Sequence, residues 1–290
     1  MPMLLHETDP ELMYQAIGYT ARETGFNPRL IEKDYFCSVV LEYLAGGSAG
    51  LTFKGGTCLA KIHDRFYRLS EDLDFTVSVS GEPKRTERSA LVATARALIA
   101  RTETSLPGFR VRDQLTGADS SRQYNGALEY QSLLDGQAEP VRIEISLSEP
   151  TLLPIERGPA ATLLRNPVTG AALVASFPVD ALSYRETMAE KLRAAMCRRE
   201  VAIRDYFDVD HAVRSGKLDP ADADLHTLLR QKLAAPRTGP VDVSDARVNE
   251  LRQQLEAQLK PMLRDREFSE FNLERAVATV RAVAATLTTP

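Results

Sequence analysis

The segment Asp72-Leu73-Asp74-Phe75-Thr76-Val77-Ser78-Val79-Ser80 alternates without exception between polar and apolar side chains. Because successive residues of a β-strand point to opposite faces, this pattern predicts a strand with one buried face and one polar face that carries Asp72 and Asp74. Two carboxylates on one face can bind one hard cation or a pair of cations, such as Mg²⁺ with nucleotide phosphates, as two-metal phosphoryl transfer requires. A merely solvated strand face is the alternative interpretation.

A second segment, from Val141 to Ser148, repeats the alternation and places Arg142 and Glu144 on its polar face. A strand here makes Glu144 a candidate for a third acidic metal ligand or for a general base. An exposed strand glutamate without a chemical role is the alternative.

A glycine-rich turn precedes the first of these segments. Residues 51–53 form a short predicted strand, and Lys54-Gly55-Gly56-Thr57 then leads into a helical pattern. Backbone N–H groups at such a turn suit an anionic phosphate, and Thr57 adds a hydroxyl group. Fourteen residues separate Thr57 from Asp72, enough for one helix and a return strand. We therefore expect the turn to lie beside the two carboxylates.

Hydrophobic periodicity divides the chain into a mixed first half and a helical second half. The first half contains predicted helices over 29–44, 57–67 and 86–101, and further predicted strands over 109–112, 124–133, 141–148 and 171–177. The second half contains predicted helices over 181–198, 206–215, 222–233, 245–263 and 271–287. A run of strands followed by a run of helices indicates an α+β protein, with a first domain over 1–180 and an α-helical domain over 181–290.

The first helix of the second half lies in the one locally basic stretch. Between Arg185 and Arg204, six basic residues accompany three acidic ones. A solvated helix face with i,i+4 ion pairs is the ordinary explanation. Alternatively, Lys191 would contact a triphosphate or neutralise a leaving pyrophosphate. Further along, we expect Asp205 to cap the next helix and Asp208 to lie one turn inside it.

Composition limits the classes of function. The 290 residues include 36 basic and 40 acidic side chains, for a net charge of -4, so any contact with nucleic acid has to be local. No apolar run is long enough for a membrane span, and residues 1–10 do not resemble a signal peptide, so we expect a cytoplasmic protein without a membrane partner. The three cysteines are too widely separated to predict a disulfide framework or a zinc knuckle.

Taken in order, five motifs of the chain resemble those of the AbiEii/AbiGii nucleotidyltransferase toxin family, also called MenT toxins, within the DNA polymerase β-like nucleotidyltransferase superfamily. They are Glu32-Lys33-Asp34-Tyr35, Phe53-Lys54-Gly55-Gly56-Thr57-Cys58-Leu59, Arg68-Leu69-Ser70-Glu71-Asp72-Leu73-Asp74-Phe75, Glu190-Lys191-Leu192 and Arg204-Asp205-Tyr206-Phe207-Asp208. The resemblance implies a polymerase β-like core with a mixed sheet, completed by the helical domain.

The resemblance also implies a function. Such a toxin, from a toxin–antitoxin or phage-defence pair, transfers nucleotides from an NTP to an RNA acceptor, the tRNA 3′ end in MenT toxins, and so blocks aminoacylation, translation and growth. A cognate antitoxin encoded nearby is the implied partner.

The motifs imply roles for individual residues. Lys54, Gly55, Gly56, Thr57, Ser70 and Lys191 would bind the nucleotide, Asp72 and Asp74 would bind Mg²⁺ or Mn²⁺, and Asp205 or Asp208 would be the second-half catalytic acid. Ser70 matches a serine that an antitoxin phosphorylates in some relatives. The superfamily pattern has Gly-Ser where this chain has Gly56-Thr57, which retains the hydroxyl group. Lys33 and Asp34 match a family motif too, but the sequence assigns them no chemistry, and an ion pair that packs a helix is the ordinary interpretation.

Three other interpretations remain open at this stage. Asp72-Leu73-Asp74-Phe75-Thr76 also fits the DxDx(T/V) pattern of aspartyl-nucleophile phosphatases, although there the first aspartate ends a hydrophobic strand, whereas here the strand begins at the carboxylates. A nucleotidyltransferase can instead act on a small molecule or a protein hydroxyl. A non-enzymatic NTP-binding module that binds a partner is the third possibility.

Overall fold

The structure, a computed structural model, describes residues 4–47, 50–79, 81, 83–147, 150–235 and 238–288. Ser80 and Ser148, at the ends of two predicted strands, lie outside these described residues. The chain divides into two compact units, Met1–Leu182 and Ser183–Pro290. The boundary lies two residues from the one predicted by the change in periodicity.

The first unit is built on a seven-stranded mixed sheet. Its strands are β1 Thr52–Lys54, β2 Asp72–Thr76, β3 Phe109–Ala118, β4 Gln123–Gln131, β5 Ala138–Ser146, β6 Glu156–Ala160 and β7 Phe177–Ala181. Their order across the sheet is β3-β4-β5-β2-β1-β7-β6. β2 pairs antiparallel with β1 and parallel with β5, and β1 pairs parallel with β7. With the helices described next, this sheet confirms the predicted α+β class.

Helices cover the apolar side of the sheet, where Leu73 and Phe75 of β2 are buried. The helices of this unit are α1 Leu5–Thr8, α2 Pro10–Thr24, α3 Pro28–Gly47, α4 Gly55–Cys58, α5 Arg85–Leu91, α6 Ala93–Ala100 and α7 Thr102–Ser105. A π-helical turn, Leu59–His63, continues α4, and a 3₁₀ turn, Asp119–Ser121, joins β3 to β4. α3 is buried over most of its circumference, as expected of a helix inside a core.

Three buried polar side chains of α3 tie it to its neighbours. Asp34 forms an ion pair with Lys61 of the π-helical turn, with 2.5 Å between Oδ1 and Nζ. Lys33 donates to the carbonyl oxygen of Pro140 and lies 3.6 Å from a carboxylate oxygen of Glu139. Glu32 accepts hydrogen bonds from Ser132 and from the backbone N–H of Leu133. The ion pairing predicted for Lys33 and Asp34 is therefore present, with a separate partner for each.

Among its described residues, the second unit contains helices joined by loops and no strand. Its helices are α8 Tyr184–Cys197, α9 Ile203–Arg214, α10 Ala223–Leu233, α11 Asp245–Gln254, α12 Asp265–Glu270 and α13 Leu273–Thr288. A single helix over 245–263 was expected, but α11 ends at Gln254 and is followed by a π-helical turn, Leu255–Leu259, and a 3₁₀ turn, Lys260–Met262. Pro261 lies in that last turn, where its missing N–H and its ring prevent regular α-helix.

Several other predicted elements were wrong in extent. The strand expected over 171–177 is instead β7, Phe177–Ala181, and its partner β6 was not predicted. β6 contains Gly158 and Pro159, residues that sequence patterns assign to loops, but β6 is an edge strand, where proline is tolerated. The helix expected over 86–101 is divided at Val92 into α5 and α6.

No helix among the described residues is both long enough and apolar enough to cross a membrane. All three cysteines are free, as expected. Burial raises the pKa of the Cys37 thiol to about 12, so this side chain is held as an unreactive thiol of the core.

Candidate active site

β2 presents Asp72 and Asp74 on the same face, as the alternation predicts. Both carboxylates are partly exposed, while Leu73 and Phe75 between and beside them are buried. In the sheet register Asp74 lies opposite Lys54 of β1 on one side and opposite Glu144 of β5 on the other. The strand therefore places two acids side by side at the centre of the sheet, with a third acid on the neighbouring strand.

The two aspartates border an open cleft of about 470 Å³ on the polar face of the sheet. The cleft extends away from β2 across β5, β4 and β3. Its other lining residues are Arg112, Asp113, Thr116, Asn125, Gly126, Ala127, Pro140, Arg142, Ile143 and Glu144. Arg142 lies opposite Asp72 in the register, with 3.8 Å between its Nη1 and Oδ1 of Asp72. Acidic and basic groups thus share the cleft.

The donor set of this site suits Mg²⁺ or Mn²⁺. Carboxylate oxygens on Asp72 and Asp74 are hard ligands, and Mg²⁺ in nucleotide sites is usually held by one or two carboxylates together with substrate phosphates. Within the described residues no group of three His, Cys, Asp or Glu side chains is arranged to hold a metal ion. Glu144 therefore does not form a three-residue metal site with the two aspartates in this structure, although it lies opposite Asp74 in the register. It stays beside Asp74, where the alternative role of a base is open to it.

The glycine turn begins at the end of β1 and packs directly against β2. Gly55 has φ +78°, a conformation that favours glycine, and a Cβ there would overlap Oδ2 of Asp74. A Cβ at Gly56 would overlap the guanidinium group of Arg68, which is buried. Both glycines are therefore required by close packing, and the helix begins at Gly55, two residues before the position expected.

Thr57 differs from its predicted role as a phosphate ligand. Its side chain is buried, and its hydroxyl group donates to the backbone carbonyl oxygen of Asp72 at 2.5 Å. The hydroxyl proton that was expected to contact a phosphate is therefore donated to a group within the protein. This hydrogen bond fixes the first residue of β2, the strand that carries Asp72 and Asp74.

Two further predicted residues lie close to the acidic strand. Ser70 is partly exposed and lies in the segment between the π-helical turn and β2, two residues before Asp72. Lys54 is the last residue of β1 and is partly exposed. Four to five residues before Ser70, Arg65 and Phe66 have φ values of 47° and 58°, in the left-handed region.

In the second unit, Lys191 of α8 is held between two aspartates of α9. Its Nζ lies 2.8 Å from Oδ1 of Asp205 and 2.9 Å from Oδ2 of Asp208. Asp205 also accepts from Nη1 of Arg198 at 3.2 Å. The expectation that Asp205 caps α9 was wrong: the cap position is Ala202, and Asp205 is the third helical residue, so its carboxylate faces α8 instead. The structure thus brings all three predicted residues of this unit together.

Arg112 was not among the predicted site residues. The sequence predicted a strand over 109–112 with Arg112 as its last residue, whereas β3 continues to Ala118. The predicted strand gave no sign that Arg112 and Asp72 lie on the same face of one sheet. Only the observed sheet order connects the two positions.

Comparisons with known proteins agree with this arrangement of sheet and helices. A family model described as "Nucleotidyl transferase AbiEii toxin, Type IV TA system" matches residues 40–283. No protein of curated function matches the sequence at a significant level.

Solved structures resemble the fold at low sequence identity. One is MenT4, a nucleotidyltransferase toxin of Mycobacterium tuberculosis, with a TM-score of 0.56, 20% identity, and coverage of 94% of this chain and 99% of MenT4. Another is JHP933 from Helicobacter pylori, with a TM-score of 0.53, 16% identity, and coverage of 90% of this chain and 93% of JHP933. Each of the two structures shares its fold with this chain over nearly the whole length of the chain.

Proposed function

Because the chain belongs to the AbiEii family of nucleotidyltransferase toxins from type IV toxin–antitoxin systems, we propose that it adds nucleotides from an NTP to the 3′ end of an RNA, with tRNA as the acceptor and Mg²⁺ as the metal. The observation that supports this most directly is the pair Asp72 and Asp74 on one face of β2, at the edge of a cleft that also contains Arg112 and Arg142. Hard anionic ligands beside phosphate-binding side chains are the elements that phosphoryl transfer uses. Growth inhibition would follow from the loss of aminoacylated tRNA in the cytoplasm.

In the proposed reaction the terminal RNA hydroxyl attacks the α-phosphorus of the NTP in line. A new O–P bond forms while the bond from the α-phosphorus to the bridging oxygen breaks, and pyrophosphate leaves. Mg²⁺ held by Asp72 and Asp74 would neutralise the phosphates and favour ionisation of the hydroxyl. Glu144, opposite Asp74 in the register, is assigned as the base that accepts the hydroxyl proton.

The remaining predicted residues bind or position the nucleotide. We assign the backbone N–H groups at Gly55 and Gly56 to the triphosphate, with Lys54 as the neighbouring cation. Lys191 is assigned to the leaving pyrophosphate, whose charge its ammonium group would neutralise. Since Asp205 and Asp208 both contact Lys191, we assign them as positioning residues for its ammonium group.

Ser70 is the proposed point of control by the antitoxin. Phosphorylation there would add about two negative charges within two residues of Asp72. That charge would repel an incoming triphosphate, so a phosphomimetic Ser70→Glu variant would lose transfer activity.

Incubation with each labelled NTP in turn and total tRNA tests the proposal. The protein should lengthen tRNA, and Asp72→Ala and Asp74→Asn should each lower the rate by at least about 100-fold, since each removes a metal ligand. Asp180→Asn is the matched control, because Asp180 is a partly exposed aspartate on β7 of the same sheet, ion-paired with Arg157.

If the label is transferred to a small molecule or to a protein while the RNA stays unchanged, that molecule rather than tRNA is the acceptor. If no acceptor is labelled, and Asp72→Ala inhibits growth as strongly as the unmodified protein, the chain acts as an NTP-binding interaction module and the proposed reaction is wrong.

A further inference from the structure

Two arginines of the cleft have guanidinium groups that are largely exposed. The Arg112 side chain is 53% exposed and the Arg142 side chain is 72% exposed. The nearest carboxylate oxygens are 3.9 Å from Nε of Arg112, on Asp113, and 3.8 Å from Nη1 of Arg142, on Asp72. Ion pairs this long between exposed groups contribute little to stability, so an incoming anion can displace them.

The sheet order separates this cleft from the glycine turn. β1, which leads into Gly55 and Gly56, is the neighbour of β2 on one side, whereas β5, β4 and β3 extend from β2 on the other. With the triphosphate assigned to the glycine turn, the cleft on the opposite side of the two aspartates is left for the second substrate. We propose that Arg112 and Arg142 bind the backbone phosphates of the acceptor RNA along this cleft, an inference that rests on the proposed function.

The spacing of the two arginines suits a chain of phosphates. Neighbouring strands lie about 4.8 Å apart, so β5, which carries Arg142, is about 5 Å from β2, and β3, which carries Arg112, is about 14 Å from it. Arg142 therefore lies next to the proposed metal site, and Arg112 lies two strands further out. This separation allows each guanidinium group to contact its own phosphate.

β4 lies between the two strands that carry the arginines and forms the floor of the cleft there. β4 contributes Asn125, Gly126 and Ala127 to the cleft, and Ala127 lies opposite Arg142 in the register. The methyl side chain of Ala127 leaves room for an extended strand of RNA to cross the sheet.

The lining also indicates how the RNA is held. Arginine binds phosphate oxygens through paired N–H groups, which makes it better suited to this role than lysine. Among the described residues that line the cleft, none is aromatic, so the cleft offers no platform on which a base would stack. The two arginines therefore bind the phosphate backbone of the RNA, and this binding is independent of the nucleotide sequence of the acceptor.

Kinetic and binding measurements on Arg112→Ala and Arg142→Ala test this inference. Each variant should raise KM for tRNA about tenfold, which corresponds to one lost hydrogen-bonded charge contact, and should leave KM for the NTP unchanged. In direct binding of fluorescent tRNA without NTP, each should reduce the slope of log K against log salt by about 0.7. Arg157→Ala is the matched control, because Arg157 is similarly exposed and paired with an aspartate, but lies on β6 outside the cleft.

Three outcomes would overturn the inference: unchanged tRNA affinity and salt slope in both variants, an increase in KM for the NTP with none for tRNA, or no binding of tRNA by the unmodified protein. Failure of the proposed function looks different. If the proposed function is wrong, the unmodified protein binds tRNA but does not extend it. Weaker binding of tRNA by the two variants would then still support a role for Arg112 and Arg142 in binding RNA.

Discussion

At Gly55 the backbone conformation and the position of a proposed metal ligand depend on each other. Replacing Gly55 with alanine would put a side chain at φ +78°, which costs about 1–2 kcal/mol, and its Cβ would also push Asp74 out of place. We therefore expect Gly55→Ala to lose at least about tenfold in kcat, beyond its modest loss of stability, as an ångström-scale misplacement does. Urea unfolding and tRNA extension rates measure the two effects separately.

Gly50→Ala is the control for this prediction. Gly50 also has a positive φ, +91°, but a Cβ there would have nothing within 4 Å. The control should show a similar loss of stability with unchanged kcat. If both variants keep full activity, the contact between Gly55 and Asp74 has no bearing on the reaction.

Single residues differ in how well the sequence predicts them. Asp72 and Asp74 were predicted correctly as a pair on one face, because strand alternation is a local property. The roles of Thr57 and Asp205 were not, since the first donates to a strand that follows 15 residues later and the second faces a different helix. Hydrogen-bond partners that are distant in sequence leave no periodic signal.

On the scale of elements, the contact between α8 and α9 depends on the buried charges around Lys191. The Asp208 side chain is 0% exposed and its Oδ2 lies 2.9 Å from Nζ of Lys191. Removing one partner of a buried pair leaves the other charge poorly compensated, so Asp208→Ala should lower the free energy of unfolding by about 3 kcal/mol. Chemical denaturation at neutral pH measures this change.

Asp245→Ala provides the comparison. Asp245 pairs with Arg281 at 2.7 Å, but its side chain is 93% exposed, so its loss should cost less than about 1 kcal/mol. Equal costs for the two variants would mean that Asp208 does not act as a buried ion-pair partner.

α1 is fixed to α3 through a neutral histidine. His6 is buried, with Nδ1 2.9 Å from the Tyr35 hydroxyl and Nε2 3.0 Å from the carbonyl oxygen of Pro107. Burial lowers the pKa of His6 below its usual 6.5. Because the unfolded chain binds this proton more readily, the stabilisation is complete above about pH 6.5 and is lost as the pH falls through the folded-state pKa.

The free energy of unfolding should therefore decrease as the pH falls below about 6.5, and His6→Gln should flatten the decrease. Urea titrations at half-unit pH intervals would show the difference. Parallel pH profiles for the two proteins would rule out His6 as the group responsible.

Element boundaries were predictable where one local pattern dominated. The strand at 72 and the helix α3 follow from periodicity alone. β6 and the long β3 were missed or shortened because their partners, rather than their own residues, hold them in the sheet: β3 contains the consecutive exposed polar residues Arg112, Asp113 and Gln114. Pairing partners far away in the sequence supply the hydrogen bonds that these segments cannot specify themselves.

For the whole molecule, the net charge of -4 limits how an RNA can be bound. A protein with many phosphate contacts loses about 10³–10⁵ in affinity between 50 and 200 mM salt. If Arg112 and Arg142 are the main contacts, the slope of log K against log salt should be near -1.4, about a sevenfold loss over the same range. Titrations of fluorescent tRNA at four salt concentrations measure this slope. A slope of about -4 or steeper would require about four more phosphate contacts, and the basic stretch from Arg185 to Arg204 would then be the first region to mutate.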